Sequence, residues 1–543
     1  MIAENTLVKL GIAGMRKRFR KRLQRLARAS QSSNGHRSVP VYSLGFFGMT
    51  PILALISILF GGDKAPAQET AASEPAPAAV VVAYQPEEAQ AELVVSEPAR
   101  WVGAVELPGQ AIDFSVTLTE SAGDYSGTID IPVQGLIGGE LQDIVREGDE
   151  LRFTFAIPNL PEFNWPTWVM TLDETGKAAA GELRQSGATF PAQMSLDEAG
   201  DMELLPRPQH PKRPLPYREI EVVVDAGEHT LAGTLTLPDE DTFGSGPYPA
   251  AILLTGSGPQ DRDETLMGHK PFLVLSDHLT RHGIASLRCD DRGTAASTGD
   301  YGSATMLDFM DDARAAVAFL EQQGEIAEIG LIGHSEGAMI APETAAGNDD
   351  VDFVVLLAGP GVTGEEVLLL QTRVMVGQTG AGESFLDTQE ELQSQLFGLM
   401  KDGADRELIE TKVGEIIDLQ SPGAAGEVRQ GLFDQNMAML DRPWFYHFLT
   451  YDPRPMLRKL EQPVLAVNGS KDLQVLTSQN LDEIRRVFEE ESKDNFKAIE
   501  FEGLNHLFQP ATTGAMSEYG EIETTFDENA MQVISDWILK QID

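Results

Sequence analysis

A single cysteine, Cys289, occurs in 543 residues. One thiol excludes an internal disulfide and any metal centre built from cysteines, so neither holds this fold together. Basic residues are scarce too: 41 Lys and Arg stand against 84 Asp and Glu, a formal charge of −43. The shortage is uneven. Residues 1–67 carry 11 basic and 2 acidic side chains, which leaves 30 basic against 82 acidic in the remainder, a net of −52. So acidic a body repels a phosphate backbone, which argues against nucleic acid as a partner and for a solvated acidic surface. Hydrophobic residues make up 42% of the chain, ample for true cores, and the length implies two or three domains.

Charge is missing altogether between Arg37 and Asp63. Ahead of that gap, Arg16-Lys-Arg-Phe-Arg-Lys-Arg22 with Arg25 and Arg28 forms a basic head. As a helix, the largely apolar stretch Val41–Phe60 would reach about 30 Å, enough to span a bilayer. Gly45, Gly48 and Pro51 weaken that span, and the denser Ile52–Phe60 has the length of a signal-peptide core. Ala65-Pro-Ala67 is a small-x-small site suited to cleavage before Gln68. A cleaved signal peptide and a membrane anchor are both open readings. In either, the positive head stays inside and the rest is exported, to the periplasm or beyond the cell.

Residues 68–100 are rich in Ala, Pro and Glu and read as an extended tether. A first folded domain is expected over 101–204. There Ile112, Phe114, Val116 and Leu118 alternate with Asp113, Ser115, Thr117 and Thr119, a strand with one wet face. Leu151–Phe155 and Phe190–Leu196 repeat the pattern, with turn signals at Gly123-Asp124, Gly148-Asp149 and Glu174–Gly176. The expectation is an antiparallel β-meander or small curved barrel. Its aromatic residues Phe163, Trp165 and Trp168 either line a ligand face or pack in the core or rim. A proline-rich linker, 205–216, follows.

From residue 217 to 543 strand and helix patterns alternate, which specifies a mainly parallel, doubly wound α/β sheet. After a hairpin over Glu219–Val224 and Leu231–Leu237, strands are expected at Pro249–Leu254, Ile284–Arg288, Ile329–Ile332, Asp352–Leu357, Val464–Val467 and Phe496–Phe501. Helices are expected at Leu273–His282, Leu307–Gln323, after Ser335, at Ser478–Glu489 and at Asn529–Gln541. Between two late strands, roughly Val362–Pro455, apolar residues recur at helical spacing and read as a helical cap. Met375, Met400, Met437 and Met439 in it either line an adaptable pocket or are core.

The chemistry centres on Gly333-His-Ser-Glu-Gly337. An apolar run ends there and a helix-competent run begins, so the pattern sits where a strand turns sharply into a helix. The glycines allow the turn, which lifts Ser335 Oγ clear of the strand end, and the N–H of Glu336 faces a developing oxyanion. The alternative is a Gly/Ser loop without chemistry. Where a serine sits on such a turn, the acid follows it in the chain and the histidine follows the acid. Two histidines come after Ser335. His506 follows the last strand pattern through a short loop, whereas His447 lies among aromatics ahead of the next strand and reads as a packed or rim residue. Asp472 closes the turn after Val464–Val467; Asp452, Asp482 and Asp494 have no strand end beneath them. The alternative for Asp472 is an ordinary turn aspartate. Thr255-Gly-Ser-Gly258 follows an earlier strand, which makes the backbone N–H of Ser257 the second oxyanion donor, unless the segment is a plain tight turn. Pro259–Asp263 and Asp290–Gly293 are expected either to hold these loops by charge pairing, with a bidentate carboxylate partner for Arg262 or Arg292, or to contact the substrate directly.

Region 217–543 resembles the α/β-hydrolase family, and more narrowly bacterial exported serine esterases with a β-rich domain ahead of the catalytic one. Gly256-Ser-Gly-Pro-Gln-Asp-Arg-Asp263, Gly268–Phe272, Arg288-Cys-Asp-Asp-Arg-Gly293 and Gly333–Gly337 carry the resemblance, closed by Asp472 and His506. Ala296 and Ala338 stand where the family commonly has glycine. The resemblance implies the fold, serine-dependent acyl transfer and no cofactor or metal. A carboxylic ester hydrolase acting on a small acyl substrate is the first expectation. A serine peptidase or aminopeptidase on the same fold is the second, and a surface binding protein on an idle hydrolase fold the third.

Overall fold

The computed structural model describes residues 99–107, 110–121, 124–131, 136–155, 165–173, 175–185, 188–196, 207–378 and 380–542. The basic head, the apolar segment, the cleavage site after Ala67, the tether as far as residue 98, and Phe163 lie outside the described residues. Among the described residues no helix is long and apolar enough to cross a membrane.

Eight antiparallel strands form a closed barrel: β1 (Ala99–Leu107), β2 (Gln110–Ser121), β3 (Asp124–Ile131), β4 (Leu136–Glu147), β5 (Glu150–Phe155), β6 (Thr167–Leu172), β7 (Ala178–Gln185) and β8 (Ala188–Leu196). Each strand pairs with the next, and β1 closes on β8 with Trp101 opposite Leu196. Closure leaves no strand edge to be covered, which suits a β-only domain of this size. The two-residue alternation turns Phe114, Val116 and Leu118 inward, where they meet Ile129, Phe153 and Met170. Trp168 is core: 1% exposed, it stacks on Phe153 at 5.4 Å. Trp165 lies half-buried outside that core.

The second fold is an eight-stranded sheet in the order β16-β15-β14-β13-β11-β12-β10-β9. Its members are β9 (Arg218–Asp225), β10 (Thr230–Leu237), β11 (Tyr248–Leu254), β12 (Ala285–Cys289), β13 (Ile326–His334), β14 (Phe353–Leu357), β15 (Val464–Gly469) and β16 (Phe496–Phe501). Strand β10 is antiparallel to both neighbours, and the pairings from β12 to β16 are parallel. Central parallel strands are covered on both faces and so read as unbroken apolar runs; Phe353-Val-Val-Leu-Leu357 is buried throughout. Strand β11 lies between β12 and β13, so the chain leaves it toward one side and returns on the other. Ligands bind at the carboxyl ends of strands beside such a crossover switch.

Between the strands run α1 (Glu240–Phe243), α2 (Pro271–Arg281), α3 (Met306–Leu320) and α4 (Gly337–Ala345). Helix α3 begins at a reciprocal cap, in which Asp308 Oδ2 accepts the backbone N–H of Thr305 at 2.8 Å and its hydroxyl at 2.6 Å. After β14 come α5 (Gly364–Gln378), α6 (Glu383–Lys401), α7 (Arg406–Gln420), α8 (Gly426–Leu440), α9 (Pro443–Thr450) and α10 (Arg454–Leu457). Helices α11 (Thr477–Glu490) and α12 (Glu528–Ile542) follow β15 and β16. Helices α2 and α12 cover one face of the sheet with Phe272, Leu279, Ile534 and Trp537. Helices α3, α4 and α11 cover the other with Val317, Leu320, Ala341, Ile484 and Phe488.

The insertion is helical as its periodicity predicts. Leu396, Phe397, Ile416, Ile417, Phe445 and Phe448 bury one another and rest on Met310 of α3 and Met339 and Ile340 of α4. Met437 is buried in that cluster, and Met400 and Met439 pack against it. Met437 is therefore core, Met400 and Met439 lie at its margin, and Met375 stands outside the cluster.

Candidate active site

Strand β13 ends at His334 and helix α4 begins at Gly337. Ser335 between them has φ +52°, a left-handed conformation that a non-glycine residue holds only when its surroundings impose it. Those surroundings are close backbone contacts. A Cβ on Gly333 would lie 2.1 Å from the carbonyl oxygen of Gly337, and one on Gly337 would lie 2.2 Å from that of Leu254. The Ser335 N–H is fixed to the carbonyl of Leu357 at 2.9 Å. Within this buried turn Ser335 remains partly exposed.

Asp472 and His506 lie just beyond the carboxyl ends of β15 and β16. Although 34 positions apart, they meet at 2.8 Å, His506 Nδ1 to Asp472 Oδ2. Both are buried, at 3% and 4% exposure. Asp472 Oδ1 accepts the N–H groups of Gln474 and Val475 at 2.8 and 2.9 Å, which fixes the carboxylate. The histidine loop is held by Asn505, whose Oδ1 accepts the N–H groups of Leu507 and Gln509 at 3.0 Å each. The expected serine, acid and histidine thus all lie at the carboxyl edge of the parallel strands, and the acid and histidine are joined. His447 is half-exposed on the cap helix α9, away from these loops in the chain.

The loop after β11 is anchored without using the N–H of Ser257. Gly256 donates its N–H to Glu264 Oε1 at 2.9 Å. Thr255 Oγ1 donates to Asp291 Oδ1 at 2.7 Å, and the Gln260 N–H donates to Asp291 Oδ2 at 2.8 Å. Among the described residues, neither Ser257 N–H nor Glu336 N–H faces a protein acceptor. Arg262 makes the expected bidentate pair, Nε and Nη2 to Asp290 at 2.9 and 2.8 Å. Arg292 is bidentate too, but its partner is Asp312 on α3, at 2.7 and 2.9 Å, rather than a residue of the facing loop. Arg288 reaches Asp263.

A cavity lined by Thr255, Gly256, Asp291, Tyr301, Phe309 and Glu336 lies under the loop after β11, and none of Ser335, Asp472 and His506 lines it. Burial pushes the Glu336 carboxyl up to about 7, although the Trp444 Nε1–H of the cap donates to it at 2.5 Å. Burial pushes Asp291 up to about 8, and the charges of Glu336 and Glu264 add to the shift. Two carboxyls that share a poorly hydrated wall resist ionising together, so the cavity carries less charge at neutral pH than its composition suggests.

Sequence reasoning passed over Glu264 and the role of His334. The loop motif Gly256–Asp263 ends one residue before Glu264. His334 carried its own signal: an imidazole closing an apolar strand needs polar partners. Both its ring nitrogens have them, Glu264 Oε1 at 2.8 Å and the carbonyl of His506 at 3.0 Å. The contact of Trp444 with Glu336 had no local signal.

This sheet order and a serine on a strand–turn–helix corner are marks of the α/β-hydrolase fold. Similarity to known proteins agrees in kind. Residues 271–381 match the profile of a family described as serine aminopeptidase, S33. Esterase EstD of Thermotoga maritima is 26% identical over 339 residues, covering 62% of this chain and 68% of that protein. Among solved structures, Est1E from Butyrivibrio proteoclasticus with ferulic acid bound is 17% identical, over 59% of this chain and 99% of that one, with a TM-score of 0.34. The Pyrococcus furiosus esterase Pf2001 is 14% identical, over 60% and 90%, with a TM-score of 0.36. The family match and the EstD similarity support a hydrolase.

Proposed function

We propose that this chain is a serine hydrolase that cleaves carboxylic esters of small acyl substrates through an acyl-enzyme. The observation that carries the reading is the buried Asp472–His506 pair, 2.8 Å apart, at the sheet edge where Ser335 holds its left-handed turn. In this reading Ser335 Oγ attacks the acyl carbon as His506 Nε2 takes its proton. Asp472, bonded to Nδ1, selects the tautomer that leaves Nε2 free and stabilises the imidazolium that forms. The oxyanion accepts the N–H groups of Ser257 and Glu336. His506 then protonates the leaving alcohol, and a water deprotonated by the same nitrogen hydrolyses the acyl-enzyme. No cofactor or metal enters any step.

A peptidase is the second reading, favoured by the family description that matches across the serine turn. Turnover of p-nitrophenyl acyl esters against aminoacyl-anilides separates the two, and a clear preference for anilides overturns the ester reading. A fluorophosphonate should label Ser335 in wild type and not in Ser335→Ala. Folded wild-type protein that resists labelling would instead be a binding protein on this fold. The basic head and apolar segment support export of the catalytic part. N-terminal sequencing of mature protein tests this: a start at Gln68 means cleavage, an intact head means an anchor, and full-length enzyme in the cytosol sinks both.

A further inference from the structure

Behind the serine turn lies a second acid–histidine pair that the reaction above leaves without a role. Glu264 and His334 are each 5% exposed and meet at 2.8 Å, Oε1 to Nδ1. The same Oε1 accepts the Gly256 N–H at 2.9 Å, in the loop that presents Ser257. On the opposite side of the ring, His334 Nε2 lies 3.0 Å from the backbone carbonyl of His506. The two imidazole rings stand 4.8 Å apart, centroid to centroid.

Both nitrogens of His334 therefore face oxygen acceptors. A neutral imidazole has one N–H, so it would set the lone pair of its other nitrogen against an oxygen lone pair. Facing an ionised Glu264, the ring satisfies both contacts only when it carries two protons. The surrounding charges agree: burial alone would lower the His334 pKa, but the Glu264 charge and hydrogen bond, the His506 carbonyl and the Asp472 charge together raise it. Glu264 is itself held in a left-handed turn, φ +55°, closed by its N–H to the Asp261 carbonyl at 2.9 Å. Strain of this kind persists where the surroundings over-determine it, commonly at functional sites.

We propose that Glu264 and a doubly protonated His334 form a positioning clamp that ties the loop bearing the Ser257 oxyanion donor to the backbone of His506. The clamp joins the loop after β11, the end of β13 and the loop after β16. It rests on the ester-hydrolase reading for the roles of Ser257 and His506. Neither residue touches the substrate. Their effect is to set the distance between oxyanion donor and general base, where an error of 1 Å costs about 10²-fold in rate.

The test uses full-length enzyme, a p-nitrophenyl acyl ester and a fluorophosphonate. Glu264→Gln keeps an oxygen for Gly256 and for Nδ1 but removes the charge, so His334 should lose a proton and with it the bond to the His506 carbonyl. For His334→Gln and Glu264→Gln, kcat should fall about 10-fold to 10²-fold while KM stays within about threefold, and Ser335 labelling should slow in parallel. In wild-type protein carrying ¹⁵N-labelled histidine, His334 should show two ring N–H protons at neutral pH; in Glu264→Gln it should show one. A single N–H on wild-type His334 overturns the proposal without any variant. Labelled wild type together with unaltered kcat in folded His334→Gln overturns the clamp alone. Wild type that fails to label overturns the hydrolase reading first and the clamp's catalytic part with it.

Discussion

At the scale of single residues, Ser257 separates a backbone role from a side-chain one. Its hydroxyl has no part in the proposed reaction, so Ser257→Ala should keep most activity. Ser257→Pro removes the N–H and should cost about 2.7–4 kcal/mol of transition-state stabilisation, a rate loss of roughly 10²–10³. Circular dichroism must show both variants folded, and a Ser257→Ala as inactive as Ser335→Ala would make the hydroxyl itself catalytic. Glu336 offers a second measurement. Burial raises its carboxyl from 4.5 in the unfolded chain to about 7 in the fold. Between those values the folded state keeps a proton that the unfolded state has released, so the neutral carboxyl's contribution is full below the lower value and stability falls as pH climbs to the upper one. Glu336→Gln abolishes that slope. Urea midpoints at about pH 5 and about pH 7 should then lie closer together than in wild type; an unchanged gap would show that Glu336 is not the group holding the proton.

At the scale of elements, the junction of β13 and α4 is set by backbone approaching backbone. Helix α4 starts against the end of β11 because Gly337 has no side chain to hold them apart. Gly337→Ala places a methyl 2.2 Å from the Leu254 carbonyl oxygen, so strand and helix must separate. The cost should be about 1–3 kcal/mol, read from the urea midpoint, and Ser335 labelling should slow because the serine moves with the helix. Equal stability and labelling would mean that the turn absorbs a methyl without shifting. The cap meets the same junction: α9 lays Trp444 on Glu336 and stacks it on Phe448 at 5.1 Å. Cap and serine turn are thus packed as one unit.

At the scale of the whole molecule, the proline-rich segment after the barrel is fastened to the catalytic fold. Arg207 donates to the carbonyls of Ile522, Met267 and Gly520 at 2.6, 3.0 and 2.8 Å, and Gln209 Oε1 accepts the N–H groups of Thr525 and Phe526 at 2.7 and 3.0 Å. The segment gripped this way holds Tyr519, whose hydroxyl accepts from Gln474 beside Asp472 at 3.1 Å and whose carbonyl meets His269 at 2.9 Å. His269 in turn meets Gln509 of the histidine loop at 3.0 Å. Arg207→Ala leaves carbonyls without their charged donor and should cost about 1.5–3 kcal/mol in a urea titration. Turnover should drop as well, since the loops of Asp472 and His506 lean on that segment. Unchanged stability would mean that water replaces the guanidinium without loss.

The amino-acid sequence by itself determined whatever is encoded within a few neighbouring residues. Two-residue alternation marked three strands of the barrel, apolar runs marked β11, β14, β15 and the end of β13, helical spacing marked the cap, and Gly333–Gly337 marked the serine turn. Chain order then singled out Asp472 and His506 past two strand ends, and the fold brings those two together. Only the tertiary structure decided what each polar group found as its partner. Glu264 reaches His334 across 70 positions, Trp444 reaches Glu336 across 108, and Arg292 turned to Asp312 on a helix instead of the facing loop. Periodicity records which face of an element is buried, because an apolar side chain gains from burial whatever neighbours it meets. The pairing of buried polar groups depends on which donors and acceptors the packed elements bring within about 3 Å, and that is settled once the sheet order and loop paths exist.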